Sequence, residues 1–77
     1  MVRVLTLPAC TQCQFTKKKF DALGVQYEEV DMSQHPEAAQ EARALGYQAA
    51  PVVITENDHW SGFRPDKIAG VAALVPA

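Results

Sequence analysis

The chain has few of the residues that small proteins use as staples: two cysteines and two histidines in 77 residues. A disulfide scaffold uses more cysteines, and a bridge between Cys10 and Cys13 closes so short a loop that it hardly constrains the unfolded chain. A structural zinc site asks for four Cys or His ligands. Only His35 and His59 could complete a set with the cysteine pair, and neither lies in a second paired motif, so no metal is expected. Positive charge is also short: seven Lys and Arg against nine Asp and Glu give a net charge of −2, with no basic footprint for nucleic acid. Long apolar runs are missing as well. The N-terminal "MVRVLTLP" is shorter than a signal h-region or a membrane span, which argues against a membrane partner and for a cytoplasmic protein. There are no repeats, linkers or low-complexity tracts. One domain over residues 1–77 is expected, with a thin core, since a chain this short buries only roughly 60 % or somewhat more of its unfolded surface.

What is present reads as alternating strands and helices. Val2, Val4, Leu5 and Leu7 form a β-rich apolar run closed by Pro8, a buried first strand. From about Thr11 the pattern turns helical: Cys13, Thr16, Phe20 and Leu23 share a face and Gly24 supplies the stop. Phe15 lies off that face, either as partly exposed packing or as a contact near the cysteines. "VQYEEVDM", residues 25–32, suits an edge strand, where its acidic residues discourage aggregation. A second helix is predicted from Pro36 to Leu45, capped by Ser33 or His35, with Ala38, Ala42 and Leu45 inward. Pro51 then opens a strand, Val52 to Thr55. The turn "END" leads to a hairpin partner in "HWSGF", and Pro65 opens a last helix whose inner face is Ile68, Val71, Ala72 and Val75. The order is βαβαββα. A right-handed parallel crossover followed by a hairpin predicts an α/β fold with a four-stranded mixed sheet flanked by three helices, the acidic strand at an edge.

The cysteines are the chemical feature of this layout. In a cytoplasmic protein a close pair is more often catalytic than structural. They stand where a strand ends and a helix begins, so free N–H groups and the positive end of the helix dipole favour a thiolate at Cys10, below the roughly 8.5 of a free thiol. Cys10 is then the attacking sulfur. Cys13, one turn in on the core-facing stripe, can resolve the mixed disulfide, so that a partner disulfide is reduced in two exchange steps. The run Lys17-Lys18-Lys19 reads as a solvated helix face that could also help dock an acidic partner. Pro51 should face the cysteine loop, since its strand lies beside the first one. X-Pro bonds in folded proteins are cis only about 5 % of the time, so local sequence alone favours trans.

Three segments together, "CTQC" with Gln12 before the second cysteine, "AAPVV" and "WSGFRPDKI" at residues 60–68, resemble thioredoxin-fold proteins and more closely the glutaredoxin-like NrdH redoxins, over essentially the whole chain. The resemblance implies a thioredoxin/glutaredoxin fold and a dithiol–disulfide oxidoreductase. It further implies reduction by thioredoxin reductase and electron donation to the large subunit of class Ib ribonucleotide reductase, by a monomer with no cofactor beyond a redox-active Cys10–Cys13 disulfide. It makes Cys10 the nucleophile, Cys13 the resolving thiol and Pro51 a cis-proline. Thr11, Gln12, Ala50, Pro51, Trp60, Ser61, Gly62 and Phe63 would then form the partner surface, with Trp60 and Phe63 as an apolar patch or as core. Arg64 and Asp66 would hold the loop before the last helix in a hydrogen-bond network, or stand as an ordinary exposed pair.

Two other readings compete. A glutathione-dependent glutaredoxin commonly has "CPYC" and a double glycine followed by aspartate before the last helix. Here Ser61-Gly62-Phe63-Arg64-Pro65-Asp66 stands in that loop, and Leu7-Pro8-Ala9 rather than a lysine precedes Cys10, which argues for protein partners. A copper or zinc chaperone of similar size usually has a methionine two positions before its first cysteine, where this chain has Pro8, and a strand pair where a second helix is predicted here.

Overall fold

The computed structural model describes residues 1–74. Its elements run β1 (Val2–Thr6), α1 (Thr11–Ala22), β2 (Tyr27–Asp31), α2 (Pro36–Ala44), β3 (Val52–Ile54), β4 (His59–Ser61) and α3 (Pro65–Leu74). The sheet order is β2-β1-β3-β4. β1 pairs with β2 in parallel and with β3 antiparallel, and β3 with β4 antiparallel. This is the four-stranded mixed sheet with three helices that the residue pattern predicts, with the acidic strand β2 at one edge.

The two central strands are apolar on successive residues because both of their faces are covered. Val2 and Val4 of β1 and Val53 of β3 face α1 and α3, where they pack with Phe20, Val25, Trp60 and Ile68. Leu5 and Val52 point the other way and meet Ala38 and Ala42. Alanines on that stripe let α2 lie close against the sheet. Arg3 shares the α2 face, and its guanidinium donates to both carboxylate oxygens of Glu41, at 2.9 and 2.6 Å. That charge-assisted pair holds Glu41 below its usual carboxylate value.

The departures from the sequence expectations fall at element ends. Leu7 lies beyond the strand and is exposed, because β1 stops at Thr6 before the Pro8 turn. Leu23 and Leu45, expected to face inward, are the C-cap residues of α1 and α2 and stand 41 % and 36 % exposed: one step past the last turn, the helical period no longer aims a side chain at the sheet. Gly24 follows with φ 71°, the left-handed conformation glycine adopts without penalty. His35 occupies the N-cap position of α2 without a capping hydrogen bond; its Nδ1 lies 3.1 Å from Glu37. Ser33 does not cap either, since its N–H and hydroxyl donate to Asp31 Oδ1 at 2.8 and 2.7 Å, which lowers the Asp31 pKa. The hairpin turn is closed by Thr55, whose Oγ1 accepts the N–H groups of Asn57 and Asp58. Val75, placed by its period on the inner face of α3, lies outside the described residues.

Candidate active site

Cys10 is the N-cap residue of α1, with extended backbone (φ −104°, ψ 105°). It follows Ala9, the one residue besides glycines with a positive φ (59°) among those described. That left-handed alanine costs roughly 1–2 kcal/mol and makes the sharp turn from the end of β1 onto the helix. Cys10 and Cys13 form a disulfide, their Cα atoms 5.2 Å apart. The two sulfurs are not equivalent. Cys10 is half-buried, whereas Cys13 is 2 % exposed on the inner stripe of α1 with Thr16 and Phe20. The backbone N–H of Cys13 donates to Cys10 Sγ at 3.0 Å, so the sulfur takes the place of a capping oxygen. The same N–H and the helix dipole would stabilise negative charge on Cys10 once the disulfide opens.

Two other segments are tied to this helix start. The Ala50–Pro51 peptide is cis and Pro51 is buried. Pro51 O accepts the N–H of Gly62 at 2.9 Å, and Ala49 O accepts the Ser61 hydroxyl at 2.9 Å. Gln12, inside the C-x-x-C, reaches the same loop: its Oε1 accepts the N–H of Phe63 at 3.1 Å. Gly62 has φ 85°, and a Cβ there would sit 3.3 Å from Gln12 Oε1, so the close approach suits glycine. Thr11 is exposed at the mouth of the site.

The aromatic residues divide. Phe63 is half-buried against the core cluster, and its ring lies 5.8 Å from that of Phe15, itself 49 % exposed. Trp60 pairs across the sheet with Val53, which pairs with Val4, and this row puts its side chain under α3 at 3 % exposure. Of the two expectations, patch or core, Trp60 is core, while Phe63 packs against the core cluster with one side and meets Phe15 with the other. The Arg64–Asp66 network reduces to a local two-bond pair of exposed side chains at 3.2 and 2.9 Å, in which the guanidinium lowers the Asp66 pKa. In the basic run, Lys17 pairs with Glu29 at 3.0 Å and Lys18 stands exposed.

Sequence reasoning passed over Tyr47. Its hydroxyl lies 2.7 Å from His59 Nδ1 and 3.2 Å from His59 O, pinning the segment before Pro51 to β4. The signal was a tyrosine in the otherwise small and polar "GYQAAP". A groove of about 260 Å³ bordered by Leu7, Met32, Tyr47 and Ala50 adjoins the cis-proline segment, whereas a larger one of about 810 Å³ lies at the far end of the sheet, by Met1 and Lys67. Among the described residues no group of three or more His, Cys, Asp or Glu is placed to hold a metal, and no helix is long and apolar enough to cross a membrane.

A half-buried and a buried cysteine, bonded to each other at a strand-to-helix turn of a four-stranded mixed sheet with three helices, define a thiol–disulfide oxidoreductase of thioredoxin fold. The glutaredoxin family model matches residues 2–60. The glutaredoxin-like protein NrdH of Escherichia coli is 40 % identical over 67 residues, 87 % of this chain and 83 % of that protein. NrdH of Lactococcus lactis is 32 % identical over 72 residues, 94 % of this chain and all of its own length (100 %). The solved E. coli NrdH-redoxin superposes with a TM-score of 0.88 at 39 % identity, over 99 % of this chain and 96 % of that one. A glutaredoxin from Archaeoglobus fulgidus, 21 % identical with a TM-score of 0.73, shares the fold. The chain belongs to the glutaredoxin family, as a redoxin of its NrdH type.

Proposed function

We propose that this redoxin is a monomeric cytoplasmic electron carrier that takes electrons from thioredoxin reductase and passes them to the large subunit of a class Ib ribonucleotide reductase. The Cys10 thiolate attacks the partner's disulfide, forming a mixed disulfide and releasing one partner thiolate. Cys13, as thiolate, then attacks Cys10 Sγ. The Cys10–Cys13 bond forms, the bond to the partner breaks, and the second partner sulfur leaves as a thiolate that takes a proton from water. The partner gains two electrons and the redoxin loses them, so the cysteine pair is the only redox group the cycle requires. Thioredoxin reductase then reopens the Cys10–Cys13 disulfide.

The observation that carries this reading is the unequal placement of the two sulfurs, Cys10 at the helix start with an N–H on its Sγ and Cys13 behind it in the core. The choice of reductant rests on the loop before α3. The amide of Phe63 is taken by Gln12, and the exposed Phe15 beside the half-buried Phe63 favours a protein surface over a hydrophilic tripeptide. The E. coli relative, moreover, is described as having a thioredoxin-like activity profile. The test is NADPH oxidation coupled to the purified disulfide form. Turnover with thioredoxin reductase and little with glutathione plus glutathione reductase is expected; efficient reduction by glutathione alone would assign the protein to the glutathione-dependent branch.

A further inference from the structure

Two buried side-chain polar atoms lack a hydrogen-bond partner among the described residues: Trp60 Nε1, in the core, and Thr16 Oγ1. Thr16 is the more telling. It is fully buried, three residues after Cys13 on the same inner stripe of α1. Side chains three apart on a helix are neighbours, with Cβ atoms about 5–6 Å apart. A threonine inside a helix usually returns its hydroxyl to a carbonyl of the preceding turn. Thr16 makes no such bond. The other buried polar side chain, Thr6, is engaged, donating to Glu29 Oε2 and Val30 O at 3.3 and 3.5 Å. A buried hydroxyl without a partner is destabilising, and an alanine or valine there would avoid the cost.

Nor does the hydroxyl bond Cys13 Sγ in this oxidised form. In the oxidised protein Cys13 Sγ is a neutral sulfur bonded to Cys10 and a weak acceptor. Once the bond opens, the same sulfur becomes a thiol and then, for the resolving attack, a thiolate held in an apolar pocket. Among the described residues no buried carboxylate, lysine or histidine is there to serve it. We infer that Thr16 donates a hydrogen bond to the Cys13 sulfur when the pair is reduced, and so sets the rate of the resolving step. The inference rests on the resolving role of Cys13 given above. The hydroxyl moves no electrons and keeps its proton. It stabilises the thiolate, whose lone pair forms the bond to Cys10 Sγ as the partner sulfur leaves.

The experiment is stopped-flow reaction of the reduced protein with 5,5′-dithiobis(2-nitrobenzoate). Attack by Cys10 releases the first thionitrobenzoate, and Cys13 displaces the second from Cys10. In Thr16→Val the second release should slow by a factor of several, because the hydrogen bond that raises the thiolate population also lowers its nucleophilicity and only about half of its worth reaches the rate, while the first does not. Thermal stability of the oxidised protein should be equal or higher, because valine removes the unpartnered hydroxyl and keeps the volume. Thr16→Ser should restore the second phase. A wild-type second phase in Thr16→Val, or a serine variant as slow as the valine one, overturns the inference. Cys10→Ser is the separate control: its lone Cys13 should release its one equivalent far more slowly than the wild-type first phase. Release at the wild-type first-phase rate would make Cys13 an attacking sulfur and remove the resolving role, and the inference with it.

Discussion

The side-chain oxygen of Gln12 accepts the backbone N–H of Phe63 at 3.1 Å, across 51 positions of sequence. This bond fastens the residue inside the C-x-x-C to the loop before α3, and Gly62 makes room for it. Substituting Gly62 by Ala should cost about 1–2 kcal/mol, from the left-handed backbone and from pressure on Gln12. Substituting Gln12 by Ala should cost under about 1 kcal/mol, the net worth of one accessible hydrogen bond. In the double variant the cost should be less than the sum, because the crowded oxygen is gone. Urea unfolding of the four proteins measures the coupling; strict additivity would mean the contact is incidental.

The cysteine roles separate in single variants. Cys10→Ser should abolish reduction of protein disulfides, whereas Cys13→Ser should accumulate the redoxin covalently joined to its partner, visible as a shifted band on non-reducing gels and removed by dithiothreitol. Normal turnover by Cys13→Ser would contradict the two-step cycle.

Trp60 and Phe63 should behave differently although they are three residues apart. Trp60→Phe removes buried volume and an unpartnered N–H, and should lower stability by about 1–3 kcal/mol with little change in KM for a protein substrate. Phe63→Ala removes the ring contact with the exposed Phe15 along with some packing on the core, and should raise that KM several-fold. If the tryptophan variant alone altered KM, the surface would have been assigned to the wrong residue.

The Arg3–Glu41 pair makes a testable acid dependence. Arg3 lowers the Glu41 pKa below its ordinary 4.5, chiefly through the hydrogen bond. A lowered pKa stabilises the fold above the unfolded value, and that contribution is lost as pH falls through the folded one. Glu41→Gln should therefore be less stable than wild type at neutral pH by under about 1 kcal/mol, modest because the pair is partly exposed and screened. The gap should close as pH drops below 4.5, and added salt should narrow it at neutral pH.

Much of this molecule was determined by local sequence. Val2, Val4 and Leu5 alternate and then run on as a strand covered on both faces must. Gly24 and Pro36 punctuate helices where their backbone preferences place them, and a cysteine pair between a strand and a helix falls at a helix N-terminus in any fold that respects those elements. These follow from short-range sterics and from periods of 2 and 3.6. Tertiary structure decided what no period carries. It buried Trp60 by setting the register Val4–Val53–Trp60, brought Gln12 to Phe63 and Tyr47 to His59, and left the Thr16 hydroxyl buried without a partner. Each of these depends on which strands lie side by side and in what register, a choice made by the summed burial of the whole chain rather than by the residues that end up touching.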